Sequence, residues 1–82
     1  MGIEKIKSIP IFIYPNPVQN ELIIDNAELI INRIEIIDLS GKTIYQSIDL
    51  KNQIHVSALP QGIYFVKLET EKGIVTKKIV KE

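Results

Sequence analysis

At 82 residues the chain can bury one modest core and is too short to divide into two domains. Ten basic and ten acidic side chains cancel, so no long-range field gathers nucleic acid or anionic lipid, and the absence of cysteine rules out disulfide or thiolate-metal staples. Eighteen isoleucines, whose branching at Cβ suits a pleated sheet better than a helix, point to an all-β fold.

The first eight residues, MGIEKIKS, lack the apolar core of a signal peptide and are expected to act as a linker, leaving residues 9–82 as the folded domain. Any export address then lies elsewhere. Seven strands are expected, at Ile9 to Tyr14, Glu21 to Asp25, Asn32 to Asp38, Thr43 to Ile48, Gln53 to Val56, Ile63 to Glu69 and Gly73 to Lys81. The turn sequences PNPVQN, SGK, DLKN, LPQG and TEKG fall between them. Short strands at this spacing read as a sandwich or small barrel, and connections this short favour antiparallel neighbours.

One competing element lies at residues 26–30. Ala27, Ile30, Ile31 and Ile34 recur at helical spacing, with Asp25 or Asn26 placed to cap. The β-branched run that feeds the SG turn accounts for more residues, so a single helical turn is the most that is expected there.

Period-two alternation directs Leu22, Ile24, Ile34, Ile36, Ile44, Ile54, Val56, Tyr64, Val66 and Leu68 inward, with Leu59 plugging one end. It directs Glu35, Gln46, His55 and Lys67 outward. Ile63 and Phe65 also fall on the outer side, as an apolar patch. The last strand has no clean register: with Val75 and Ile79 inward Lys77 goes in too, and with Ile74, Thr76 and Val80 inward Lys78 does. A buried lysine must snorkel or the strand must bulge, and such breaks of local pattern concentrate where function lies.

Catalytic chemistry has little to work with. His55, the one histidine, shares a neighbourhood with Ser57 but has no carboxylate fixed beside it by the sequence, and a surface histidine is the plainer reading. Asp25, Asp38 and Asp49 sit at separate strand ends without calcium-ligand spacing. Asp38 is expected to accept backbone N–H bonds in its D-L-S-G turn. Gly41, Gly62 and Gly73 are isolated turn glycines serving positive φ rather than a phosphate cradle. No tryptophan and only scattered aromatics argue against a sugar platform. No enzyme and no cofactor are expected. What the chain offers is a β-branched edge with paired lysines, suited to recognition by strand addition or patch docking, self-association included.

Three segments, IYPNPVQNELII, INRIEIIDLSGKTIY and LPQGIYFVKLETEKGIVTKKIVK, together resemble the type A C-terminal sorting domain of the type IX (Por) secretion system of Bacteroidetes, from about Ile11 to Lys81. The resemblance implies an immunoglobulin-like antiparallel β-sandwich that directs an upstream passenger, fused to it, from the periplasm across the outer membrane to the cell surface or medium. Its partners would be translocon proteins and a surface sortase that removes the domain.

Pro15, Asn16 and Pro17 match that family's opening turn, where two prolines fix φ and Asn16 is expected to bond its own backbone. Gly62, Tyr64 and Lys67 match its G-x-Y-x-x-K segment, with the tyrosine inward and the lysine outward. Lys77, Lys78, Ile79, Val80 and Lys81 match its terminal KKIVK, and with Lys67 they are the expected translocon contacts; Glu82 follows the lysine at which many members end. Removing Lys77 to Glu82 is expected to abolish export while the sandwich stays largely folded. An adhesive or carbohydrate-binding immunoglobulin-like module is the alternative.

Overall fold

A computed structural model describes residues 11–25, 29–48 and 52–82. The proposed linker, the start of the first expected strand, the core of the helical alternative and most of the DLKN turn lie outside the described residues. The described residues form seven strands: β1 (Phe12–Tyr14), β2 (Glu21–Asp25), β3 (Ile31–Asp38), β4 (Thr43–Ser47), β5 (Gln53–His55), β6 (Gly62–Thr70) and β7 (Gly73–Lys81). They match the expected runs to within a residue or two. The exception is β1, where Ile11 is not in the strand although it is 1% exposed.

The strands pair antiparallel in two sheets, ordered β1-β2-β5 and β4-β3-β6-β7. This is the Greek-key arrangement of an immunoglobulin-like sandwich, with β4 and β7 flanking the central β3–β6 pair of the larger sheet. The inner faces close over Leu22, Ile24 and Ile54 from one sheet and Ile34, Ile36, Tyr64, Val66, Leu68 and Ile79 from the other. Each fully buried aliphatic side chain contributes about 1.5–3 kcal/mol by leaving water. Val56 is buried as expected, and Leu59 is half-buried against the core.

Ile44 reaches that core by a different route from simple alternation. Ile36 pairs with Tyr45 and Ile37 with Thr43, so Ile44 is the extra residue of a β-bulge, which lets it pack against the core. The outer patch expected at Ile63 and Phe65 is also altered. Both are half-buried, because Ile63 stands beside Val80, and Phe65 between Ile37 and Lys78, on the same outer face. The exposed large apolar side chains are instead Phe12, Tyr14, Ile30, Leu39, Tyr45, Ile48 and Ile74.

Two turns follow from their residues. At β3–β4, Asp38 Oδ1 accepts from Ser40 Oγ at 2.6 Å, Ser40 N at 2.9 Å and Lys42 N at 3.0 Å, as the D-L-S-G sequence suggested. Gly41 there has φ +90°, a conformation costly for any residue with a Cβ. At β6–β7, Thr70 Oγ1 donates to the Gly73 carbonyl at 2.6 Å and accepts from Lys72 N at 3.0 Å.

The bonds to Asp38, led by that from the Ser40 hydroxyl, hold its carboxyl below the ordinary carboxylate pKa. A depressed folded-state pKa gives stability that is fully present above the unfolded value of about 3.9 and is lost as pH falls through the folded one. Thermal unfolding of Asp38→Asn should therefore show a lower Tm than wild type at neutral pH and a gap that closes in strong acid. A gap that is constant with pH would disprove the link to ionisation.

Candidate functional site

The terminal strand resolves its register in favour of Val75 and Ile79 inward. Ile79 is 0% exposed and Val75 packs partly against the core, while Ile74, Thr76 and Lys78 are exposed. Lys77 and Lys81 therefore turn toward the inner face. Lys77 is half-buried, and Lys81 is 7% exposed, its Nζ donating to the Glu82 carbonyl oxygen at 3.0 Å. Its methylenes are covered while the ammonium keeps a polar partner at the rim, the snorkelling solution.

The six residues expected to form one recognition set are thus split between faces. Lys67 lies on the outer face between Glu35 and Thr76, and Lys78 is its diagonal neighbour on that face. Val80 also faces outward and is half-buried; Lys77, Ile79 and Lys81 face the other way.

The PNP turn reaches the same strand. Both X–Pro bonds of the turn are cis. Asn16 does not bond its own backbone as expected: its Oδ1 accepts from the Val80 N–H at 2.9 Å and its Nδ2 donates to the Lys78 carbonyl at 3.3 Å. An amide side chain offers one acceptor and one donor side by side, so Asn16 takes the place that one residue of a neighbouring strand would occupy. Two residues on, Val18 N donates to Val80 O at 2.8 Å and Glu82 N donates to Val18 O at 2.9 Å, a parallel bridge between Val18 and Lys81. Val18 is itself 0% exposed.

These bonds define the outer edge of β7. Backbone groups of one strand residue point the same way and alternate along the strand. Val80 bonds outward, so Ile74, Thr76 and Lys78 also direct their N–H and C=O away from β6. The outward groups from the Lys78 carbonyl to the Glu82 N–H are taken by Asn16 and Val18. Those of Ile74 and Thr76, and the Lys78 N–H, have no partner among the described residues.

The remaining motif residues are structural in placement. Tyr64 is 6% exposed, and its hydroxyl donates to the Pro60 carbonyl at 2.7 Å, the tyrosine corner that recurs in immunoglobulin-like sandwiches. Gly62 opens β6 opposite Lys81, and Gly41 lies on the β3–β4 turn, away from β7. His55 is exposed but not alone: pairing of β2 with β5 places Glu21 opposite, with its Oε2 3.6 Å from His55 Nδ1. No group of three or more His, Asp or Glu side chains suited to a metal occurs among the described residues.

Sequence reasoning missed Val18 and the Asn16 bonds. Val18 was legible only as an apolar residue inside a turn, and no local pattern encodes a hydrogen bond spanning 64 residues. A family model described as the secretion system C-terminal sorting domain matches residues 12–82. No curated protein matches the chain.

Proposed function

The chain belongs to the secretion system C-terminal sorting domains of type IX secretion, and on that premise we propose that residues 9–82 deliver an upstream passenger across the outer membrane by presenting β7 to the translocon. The family is one of sorting signals rather than catalysts, and its members mark proteins for secretion or surface display. In our reading the passenger travels through the periplasm, and a surface sortase then removes the domain. Lys78, Lys67 and the exposed length of β7 meet the translocon. Residues 1–8 act as the linker.

The observation that carries this reading is the contact between the two family motifs: the PNP turn holds the KKIVK strand in place through Asn16 and Val18. A loose peptide tag needs no such scaffold. It also sorts the expected contacts, since Ile79 and Lys81 are buried and serve to anchor the strand, leaving Lys77, Lys78 and the edge before them accessible. The same free edge makes pairing between two copies a second use of β7.

Fusing residues 9–82 behind a periplasmic reporter in a host competent for type IX secretion tests the proposal. The reporter is expected at the surface or in the medium, with Lys78→Ala lowering export at unchanged domain stability. A reporter retained in the periplasm rejects the sorting role, and specific binding of the isolated domain on a glycan array would favour the adhesive alternative.

A further inference from the structure

We propose that the edge of β7 from Ile74 to the Lys78 N–H is a strand-addition site for an extended protein segment that carries carboxylates, and that Asn16 sets where along β7 this segment must stop. The inference rests on the sorting reading for the identity of the partner, a segment of the secretion machinery.

Five outward backbone groups, the N–H and C=O of Ile74 and of Thr76 and the N–H of Lys78, form a row left open by the described residues. Such a row is a template for another strand. The row ends sharply. The next outward groups belong to Asn16 and Val18, so an incoming strand cannot slide on toward Glu82. The clamp thereby fixes register, which a bare edge leaves undefined.

The facing edge of the other sheet is a poorer template. Ile24 N donates to Asn52 O, so Ile24 faces β5, and its β1 partner Ile13 is the sole residue of that three-residue strand with outward backbone groups. β7 has the longer free row.

Charge selects the occupant. Successive strand residues point to opposite faces, so Lys77 and Lys78 put one ammonium on each face of the added strand. The groove between β1 and β7, about 360 Å³ and lined by Ile11, β1, Asn16, Lys77 and Lys78, has no carboxylate among the described residues. An added strand with acidic side chains beside these lysines gains charge-assisted contacts, whereas a basic one meets like charge. Lysines on an edge also deter indiscriminate pairing, and here that deterrent discriminates in favour of acid.

Proline at position 76 removes an outward N–H without touching the ladder to β6, because Thr76 stands opposite Lys67 in a pair whose backbone groups point away from each other. In the reporter fusion, Thr76→Pro is expected to drop export to the level of a fusion lacking the domain, far below Thr76→Ala, which keeps the N–H. Circular dichroism checks that the proline variant folds. A folded Thr76→Pro domain that exports normally overturns the inference and leaves the sorting role intact, whereas failure of the wild-type fusion rejects the sorting role itself.

A measurement on the wild-type domain decides the edge independently, including when the proline variant does not fold. A blocked peptide alternating threonine and glutamate should slow amide exchange at Ile74, Thr76 and Lys78 but leave Val80 unchanged, and a threonine–lysine peptide should leave all four amides unchanged. Protection by both peptides alike, or by neither, overturns the inference.

Discussion

Ile79→Ala is expected to lower the unfolding free energy by about 2–5 kcal/mol, the range for truncating a buried isoleucine. Lys78→Ala, at an exposed side chain one position before Ile79, should change it by less than about 0.5 kcal/mol. Ile79 is wholly enclosed, opposite Tyr64 on β6, and collapse around the vacated volume is limited in a two-sheet core. For an 82-residue domain total stability is on the order of 4–12 kcal/mol at about 0.05–0.15 kcal/mol per residue, so this single truncation removes a large share of it. Urea denaturation of the two variants checks the contrast. Equal losses would mean that the lysine is structural, and a negligible loss at Ile79 would mean that the strand end is not part of the core.

The same geometry revises the expectation for deletion of Lys77 to Glu82. That deletion takes away Ile79, five of the nine β6–β7 pairings and every bond from Asn16 and Val18 to β7. The truncated domain should be substantially unfolded rather than largely intact, so loss of export on deletion says nothing about recognition. Point substitutions at exposed positions separate the two effects and deletion does not.

Strand positions and most of the core were legible because isoleucine and valine alternate with polar residues in β2, β3 and β6, and the turns between carry Gly, Pro and Asp. Period two works where one face is dry and the other wet. It put Ile44, Ile63 and Phe65 on the faces they occupy, but it showed neither the bulge that carries Ile44 to the core nor the outer-face neighbours that half-cover Ile63 and Phe65. It was ambiguous for β7 because both registers bury a lysine; the choice fell to Ile79, which has a core partner in Tyr64 across the ladder. The edge itself was not legible. Which carbonyls and amides of β7 are free depends on Asn16 and Val18, which lie far away in the chain and belong to a turn whose own sequence predicts only local bonding.

Asn16→Ala tests the clamp directly. Removing the side chain takes away two hydrogen bonds, each worth about 0.5–1.5 kcal/mol. Both lie at an exposed edge where water partly replaces them, so the expected loss of stability is about 1–2 kcal/mol. Hydrogen exchange resolves more than the total. The Val80 N–H is held from outside by Asn16 alone, so in the variant it should exchange near the rate of an unprotected amide. The Glu82 N–H, bonded to Val18 O, and the amides of β6 should speed up only by the factor that the global loss dictates, roughly 5–30-fold. If Val80 keeps its protection, another group holds the strand end and Asn16 cannot be the stop for an added strand. If Glu82 is freed together with Val80, the side chain supports the whole bridge to Val18, and the PNP turn acts as one latch on the terminal strand.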